Sequence, residues 1–163
     1  MNYPKELHDF WADWETWGKA HNPEDWPVST DAAAMFERHL KCLQSVADSG
    51  DDNARYAISS IYLLNLIYSD VSTRAERYDR DRSTMTELLY QCARNGMVVA
   101  FDNLVTSGVG EMAKSARAAA RDYETIQNPD WDELSGMPVY TPMWMESAMR
   151  LWRSRQGESG PLA

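Results

Sequence analysis

The chain has little of what would mark a nucleic-acid binder, a disulfide scaffold or a membrane protein. Cations are few: 16 Lys and Arg stand against 25 Asp and Glu, a formal charge of −9 over 163 residues. A nucleic-acid interface needs a basic footprint, and an anionic membrane surface repels an acidic chain, so neither is an expected partner. Cysteine is scarce. Cys42 and Cys92 both fall in helical apolar patterns and read as buried thiols of a reducing compartment rather than a disulfide. Long apolar runs are missing, and the segment Ile61 to Tyr68 is far too short to span a bilayer. The start, MNYPKELHDFWADWE, lacks the basic opening and apolar core of a secretory signal. The expected setting is the cytoplasm, without membrane insertion.

Chemical motifs are equally sparse. The three histidines are His8, His21 and His39, and no HExxH occurs. His39 and Cys42 lie three apart on one helix, but two ligands do not make a tetrahedral metal site. As a nucleophile pair they fail too, because a thiol on an apolar stripe is inert. Gly108 and Gly110 open a GxG, yet Ala113 breaks the dinucleotide pattern and no strand precedes it. The expectation is no catalytic residue, no metal and no cofactor.

Strand signals are nearly absent as well. The one β-rich run, Met97 to Phe101, sits where a helix is expected, and tertiary context overrides weak propensity. The rest reads at helical period, which gives an all-α chain of about seven helices. A first helix runs from about Pro4 to Lys19, and a second from Asp31 to Asp48, stopped by Gly50. Asp51 or Asp52 caps a third, to Tyr68. The charged stretch Ser69 to Arg82 reads as a solvated loop or an exposed helix start. Thr84 and Glu87 then form a capping-box pattern that opens a fourth helix, ending at Gly96. Further helices follow at about Met97–Thr106, Glu111–Gln127 and Thr141–Arg155.

What the chain does have is an internal match. Ala47, Gly50, Ala54 and Ile58 correspond to Ala93, Gly96, Ala100 and Leu104 at a constant offset of 96 − 50 = 46 residues. A fixed period of 20 to 50 residues is the sign of a helical repeat array. Glycine turns one helix into the next, small alanines permit close crossing, and the leucine position packs between. With Tyr62, the pattern A-x-x-G-x-x-x-A-x-x-x-L-x-x-x-Y resembles the Sel-one-like repeat, a relative of the tetratricopeptide repeat. Gly108 stands in place of the second tyrosine, and Met97 follows Gly96 where a polar cap is usual. The resemblance implies a short α-solenoid of helix hairpins and a role in protein–protein interaction, with no catalytic residues to carry over.

Tryptophan is placed at the ends. Trp11, Trp14, Trp17 and Trp26 precede the repeats, and Trp131, Trp144 and Trp152 follow them. A repeat array exposes an apolar face at each end, so these segments read as caps. The organisation is then a single helical-repeat domain over 1–163, with an N-terminal cap over 1–30, repeat helices over 31–127, a loop and last helix over 128–156 and a fraying tail over 157–163.

Two acidic, proline-bearing loops stand apart, one with Glu24, Asp25 and Trp26, the other with Asp130, Trp131, Asp132 and Glu133. Loop aromatics flanked by carboxylates are candidate partner contacts. Acidity, small size and an interaction-type repeat together point to an inhibitor or immunity-type protein that neutralises a basic toxin or effector. The alternatives are a structural adaptor or regulator of a larger assembly, and an enzyme with an unrecognised all-α site. Either a monomer or a homodimer fits, since a short array covers an open end by self-association.

Overall fold

Seven α-helices and one two-residue β-pair make up a computed structural model that describes residues 3–21, 29–68, 71–107, 110–127, 131–132, 137–138 and 142–157. In order, they are α1 (Lys5–Ala20), α2 (Thr30–Asp48), α3 (Asp52–Tyr68), α4 (Val71–Arg94), α5 (Val98–Ser107), α6 (Gly110–Gln127), β1 (Trp131–Asp132), β2 (Met137–Pro138) and α7 (Pro142–Arg155). The strands pair antiparallel, Trp131 opposite Pro138. The described residues are all-α apart from this pair. No described helix is long and apolar enough to cross a membrane. The chain groups into two compact units, Met1–Leu88 and Leu89–Ala163.

In the first unit, α1 packs on α2 and α3, and α2 packs on α3. The helix starts are set by short polar side chains. Ser29 accepts from the Ala32 N–H at 3.2 Å, and Asp51 accepts from the Ala54 N–H at 2.9 Å, each satisfying a backbone donor that the first turn leaves open. Leu7 and Phe10 of α1, Leu43 of α2 and Ile58 of α3 are all at 1% exposure or less in one apolar cluster. Trp11, Trp14 and Trp17 are half-buried against that cluster.

The second unit contains α5, α6 and α7, each packed on the other two. Buried Ala113, Ala116 and Ala120 give α6 a smooth face, which lets helices approach closely. On α7, Trp144, Ala148 and Trp152 recur at four-residue spacing and are all buried, with Trp144 meeting Tyr123 of α6 at 6.1 Å. Arg117 donates to the Val105 carbonyl at 3.2 Å, closing one of the open acceptors at the end of α5. Arg155 reaches Asp122 at 2.6 Å.

The 46-residue match is visible in backbone geometry. Gly50 and Gly96 both have positive φ, at 102° and 105°. Gly50 N–H donates to the Ala47 carbonyl and Gly96 N–H to the Ala93 carbonyl, each at 3.0 Å. The next residue bonds five back in both cases, Asp51 to Val46 and Met97 to Cys92. This is the Schellman ending of a helix, used twice at equivalent places. Ala54 and Ala100 are fully buried, as are Ile58 and Leu104 to within 1%. Leu43 and Leu89, another pair at the same offset, are buried as well. The helices that follow the two glycines differ in length, since α3 has 17 residues and α5 has 10. Gly108 lies outside the described residues.

Open space surrounds a Cβ added at Gly50, and at Gly96 only an Arg153 nitrogen at 3.9 Å would be near it. The cost of substitution is therefore backbone strain alone. Gly50→Ala and Gly96→Ala are each expected to lose about 1–2 kcal/mol in urea unfolding, with valine worse than alanine. Equal stability of the alanine variants would remove the turn argument.

One boundary differs from the sequence reading. Helix α4 begins at Val71 rather than near Thr84. Thr84 lies inside the helix and donates to the Arg80 carbonyl at 2.9 Å, so it caps nothing. The stretch read as a solvated loop or an exposed helix start is the latter, helical with Arg77 to Arg80 exposed, except that Asp81 within it is buried at 7% side-chain exposure between Arg77 and Arg80.

Candidate functional site

Helices α1 and α2 enclose a polar groove of about 530 Å³. Spacing explains it. Residues 5, 9 and 13 recur every four positions and so line one face of α1. On α2, Arg38, His39 and Cys42 lie beside the buried row of Phe36, Leu43 and Ala47. Apolar packing joins the two helices below, and polar side chains at the edges of both stripes form the walls.

The walls are partly paired. His39 Nε2 and Asp13 Oδ2 are 2.8 Å apart, with 12% and 50% of their side chains exposed. The imidazole edge also meets the buried Phe10 ring, at 5.5 Å and 79°. Lys5 is hydrogen-bonded to Asp9. That bond holds the Asp9 carboxyl below its ordinary range and pushes the Lys5 ammonium up, with smaller contributions to Lys5 from Glu6 and Cys42. Glu6 and Arg38 line the same groove and are exposed.

Cys42 corrects the sequence reading. It is exposed, whereas Cys92 is buried as expected. The inner face of α2 passes through Leu43, and its neighbour Cys42 is turned a quarter of a revolution onto the rim. The His39 and Cys42 spacing seen in the sequence thus marks a real groove, although no hydrogen bond joins the two side chains. Local periodicity gave no sign of the Asp13 contact, which spans 26 residues. Among the described residues, no group of three or more His, Cys, Asp and Glu side chains could hold a metal ion. His21 stacks on Trp17 at 4.5 Å and 19°.

Glu24, Asp25, Trp26, Asp130 and Glu133 lie outside the described residues. Trp131 and Asp132 are described only as the backbone of β1. The structure therefore neither joins nor separates these candidate contacts.

A second unexpected group is Glu124 on α6, at 1% exposure, with one carboxylate oxygen lacking a hydrogen-bond partner among the described residues. Desolvation raises its pKa above the ordinary 4.5. A raised acid pKa means that the folded state holds its proton more tightly than the unfolded state does. Stability therefore falls as pH rises from the unfolded value through the folded one. Glu124→Gln is expected to stabilise by on the order of 1 kcal/mol at neutral pH, and by nothing at a pH well below 4.5. Denaturation midpoints of both proteins across pH check this, and a pH-independent difference would refute the ionisation argument.

No family model matches the chain, and neither a curated protein nor a solved structure is significantly similar to it.

Proposed function

We propose that this chain is a non-catalytic binding protein of the inhibitor or immunity type, a Sel-one-like helical repeat protein that captures a basic protein target. Its charge distribution carries the reading. Residues 1–88 hold 16 Asp and Glu against nine Lys and Arg, a balance of −7, and residues 89–163 hold nine against seven, a balance of −2. The acidic excess is concentrated in the unit that contains the α1–α2 groove. A concentrated field of one sign steers an oppositely charged partner and accelerates encounter. The acidic loop around Trp26 belongs to the same unit and adds an aromatic anchor of the kind that dominates interfaces.

Co-expression with the products of the flanking genes tests this proposal. A one-to-one complex is expected with a basic product, its association slowing steeply as salt rises. Asp48→Lys with Asp79→Lys, both exposed, should slow association about tenfold at low salt and leave folding intact. Failure of every flanking product to bind, together with harmless loss of the gene, would end the reading.

One observation favours a structural adaptor instead. Leu63 and Ile67 lie one turn apart on α3, with 41% and 42% exposure. An assembly role predicts salt-insensitive binding that Leu63→Lys abolishes, and steered capture predicts the reverse.

A further inference from the structure

The α1–α2 groove holds more chemistry than capture of a basic protein requires. Two pairs of wall groups are already in contact, Lys5 with Asp9 and Asp13 with His39. Glu6 and Arg38 are exposed and, among the described residues, form no ion pair within 4 Å. Arg38 lies one turn before Cys42 on α2, on the same face. The Cys42 thiol is exposed and lines the same cavity. The groove thus presents, among the described residues, a guanidinium and a carboxylate outside any ion pair, beside an accessible sulfur. An amino-acid head group, with its own carboxylate and ammonium, is the complement of the first two. A volume of about 530 Å³ lies within the range of small-molecule sites.

We propose that the α1–α2 groove takes a small zwitterionic disulfide of the amino-acid or short-peptide class, and that Cys42 forms a mixed disulfide with it. Arg38 receives a ligand carboxylate and Glu6 a ligand ammonium. Cys42 first gives its proton to solvent. Its thiolate then attacks one ligand sulfur, the ligand S–S bond breaks as the new S–S bond forms, and the departing thiolate leaves with the electron pair and takes up a proton. The step needs no oxidant beyond the ligand disulfide. It also needs no histidine base, in keeping with a thiol that is not hydrogen-bonded to His39. The inference is independent of the protein-partner reading.

The test is exchange of the full chain with glutathione disulfide and with neutral bis(2-hydroxyethyl) disulfide, followed by intact mass and peptide mapping. A single glutathionyl adduct at Cys42 is expected, and none at Cys92, which is fully buried. The ratio of the two rates is the readout, because a change in thiolate reactivity alters both rates alike. Arg38→Gln should lower the ratio about fivefold, as loss of one well-formed charge contact does. Glu6→Gln should lower the rate with cationic cystamine by a similar factor relative to the neutral disulfide. Lys41→Gln, also an exposed cation on α2, should leave every ratio unchanged and so separates a local contact from the overall field. Unchanged ratios in the groove variants would make Cys42 an ordinary surface thiol and overturn the proposal. A Cys42–Cys42 interchain disulfide in place of the adduct, or modification at Cys92, would do the same.

Discussion

Replacing Trp152 by alanine is expected to cost about 3–5 kcal/mol of stability, the range for truncating a large buried aromatic. The residue is 1% exposed on α7. Its ring meets Tyr90 edge-on at 5.6 Å and 87°, and Phe101 at 5.6 Å and 49°. Truncation removes both ring contacts and leaves a cavity beside Tyr90 and Phe101. The indole Nε1 has no hydrogen-bond partner among the described residues. An unmet buried donor costs about 1–3 kcal/mol, so Trp152→Phe recovers part of what its smaller ring loses. Phenylalanine is therefore expected within about 1 kcal/mol of wild type. Denaturant midpoints by far-UV circular dichroism, at constant slope, measure both. A phenylalanine variant as unstable as alanine would mean that the indole N–H is satisfied.

The parts of this fold that were legible in the sequence are those with a purely local cause. Gly50 and Gly96 stand out because a left-handed helix ending demands glycine, and both have that conformation. Pro142 opens α7 because proline fixes a helical φ where no amide bond is needed. Ala54 and Ala100 reach zero exposure as small residues in the stripe should. The misreadings have non-local causes. Segment 71–82 reads as a solvated loop or an exposed helix start, and the second holds because Arg, Glu and Ala are good helix formers. Only the start of α4, at Val71 rather than near Thr84, and the burial of Asp81 beside arginines depart from that reading. Cys42 was placed inside on a stripe whose true centre lies one residue away, at Leu43. The groove was illegible because Asp13 and His39 belong to different helices, and the register between helices is set by packing, not by either pattern alone. The acidic loops show the converse. Composition singles out Trp26 and Trp131, but composition does not fix where a loop side chain sits.

Phe10→Ala should be as damaging in the first unit as Trp152→Ala in the second, and it decides what holds α1 in place. Two kinds of contact join α1 to α2. One is aromatic packing, in which the fully covered ring of Phe10 meets His39 at 5.5 Å while Trp14 and Trp17 meet Phe36 at 5.8 Å and 5.3 Å. The other is the Asp13–His39 hydrogen bond, whose carboxylate is half exposed. A solvent-facing ionic contact contributes about 0–1 kcal/mol, whereas loss of a buried phenyl ring costs about 3–5 kcal/mol. Asp13→Asn is therefore expected to shift the urea midpoint only slightly, and Phe10→Ala to shift it severely. The same ring forms the floor under His39, so its loss should also disorder the groove. In Phe10→Ala, any selectivity of Cys42 between glutathione disulfide and the neutral disulfide should disappear along with stability, while Asp13→Asn retains it. Equal destabilisation by the two variants would show that the polar pair, not the aromatic packing, docks α1.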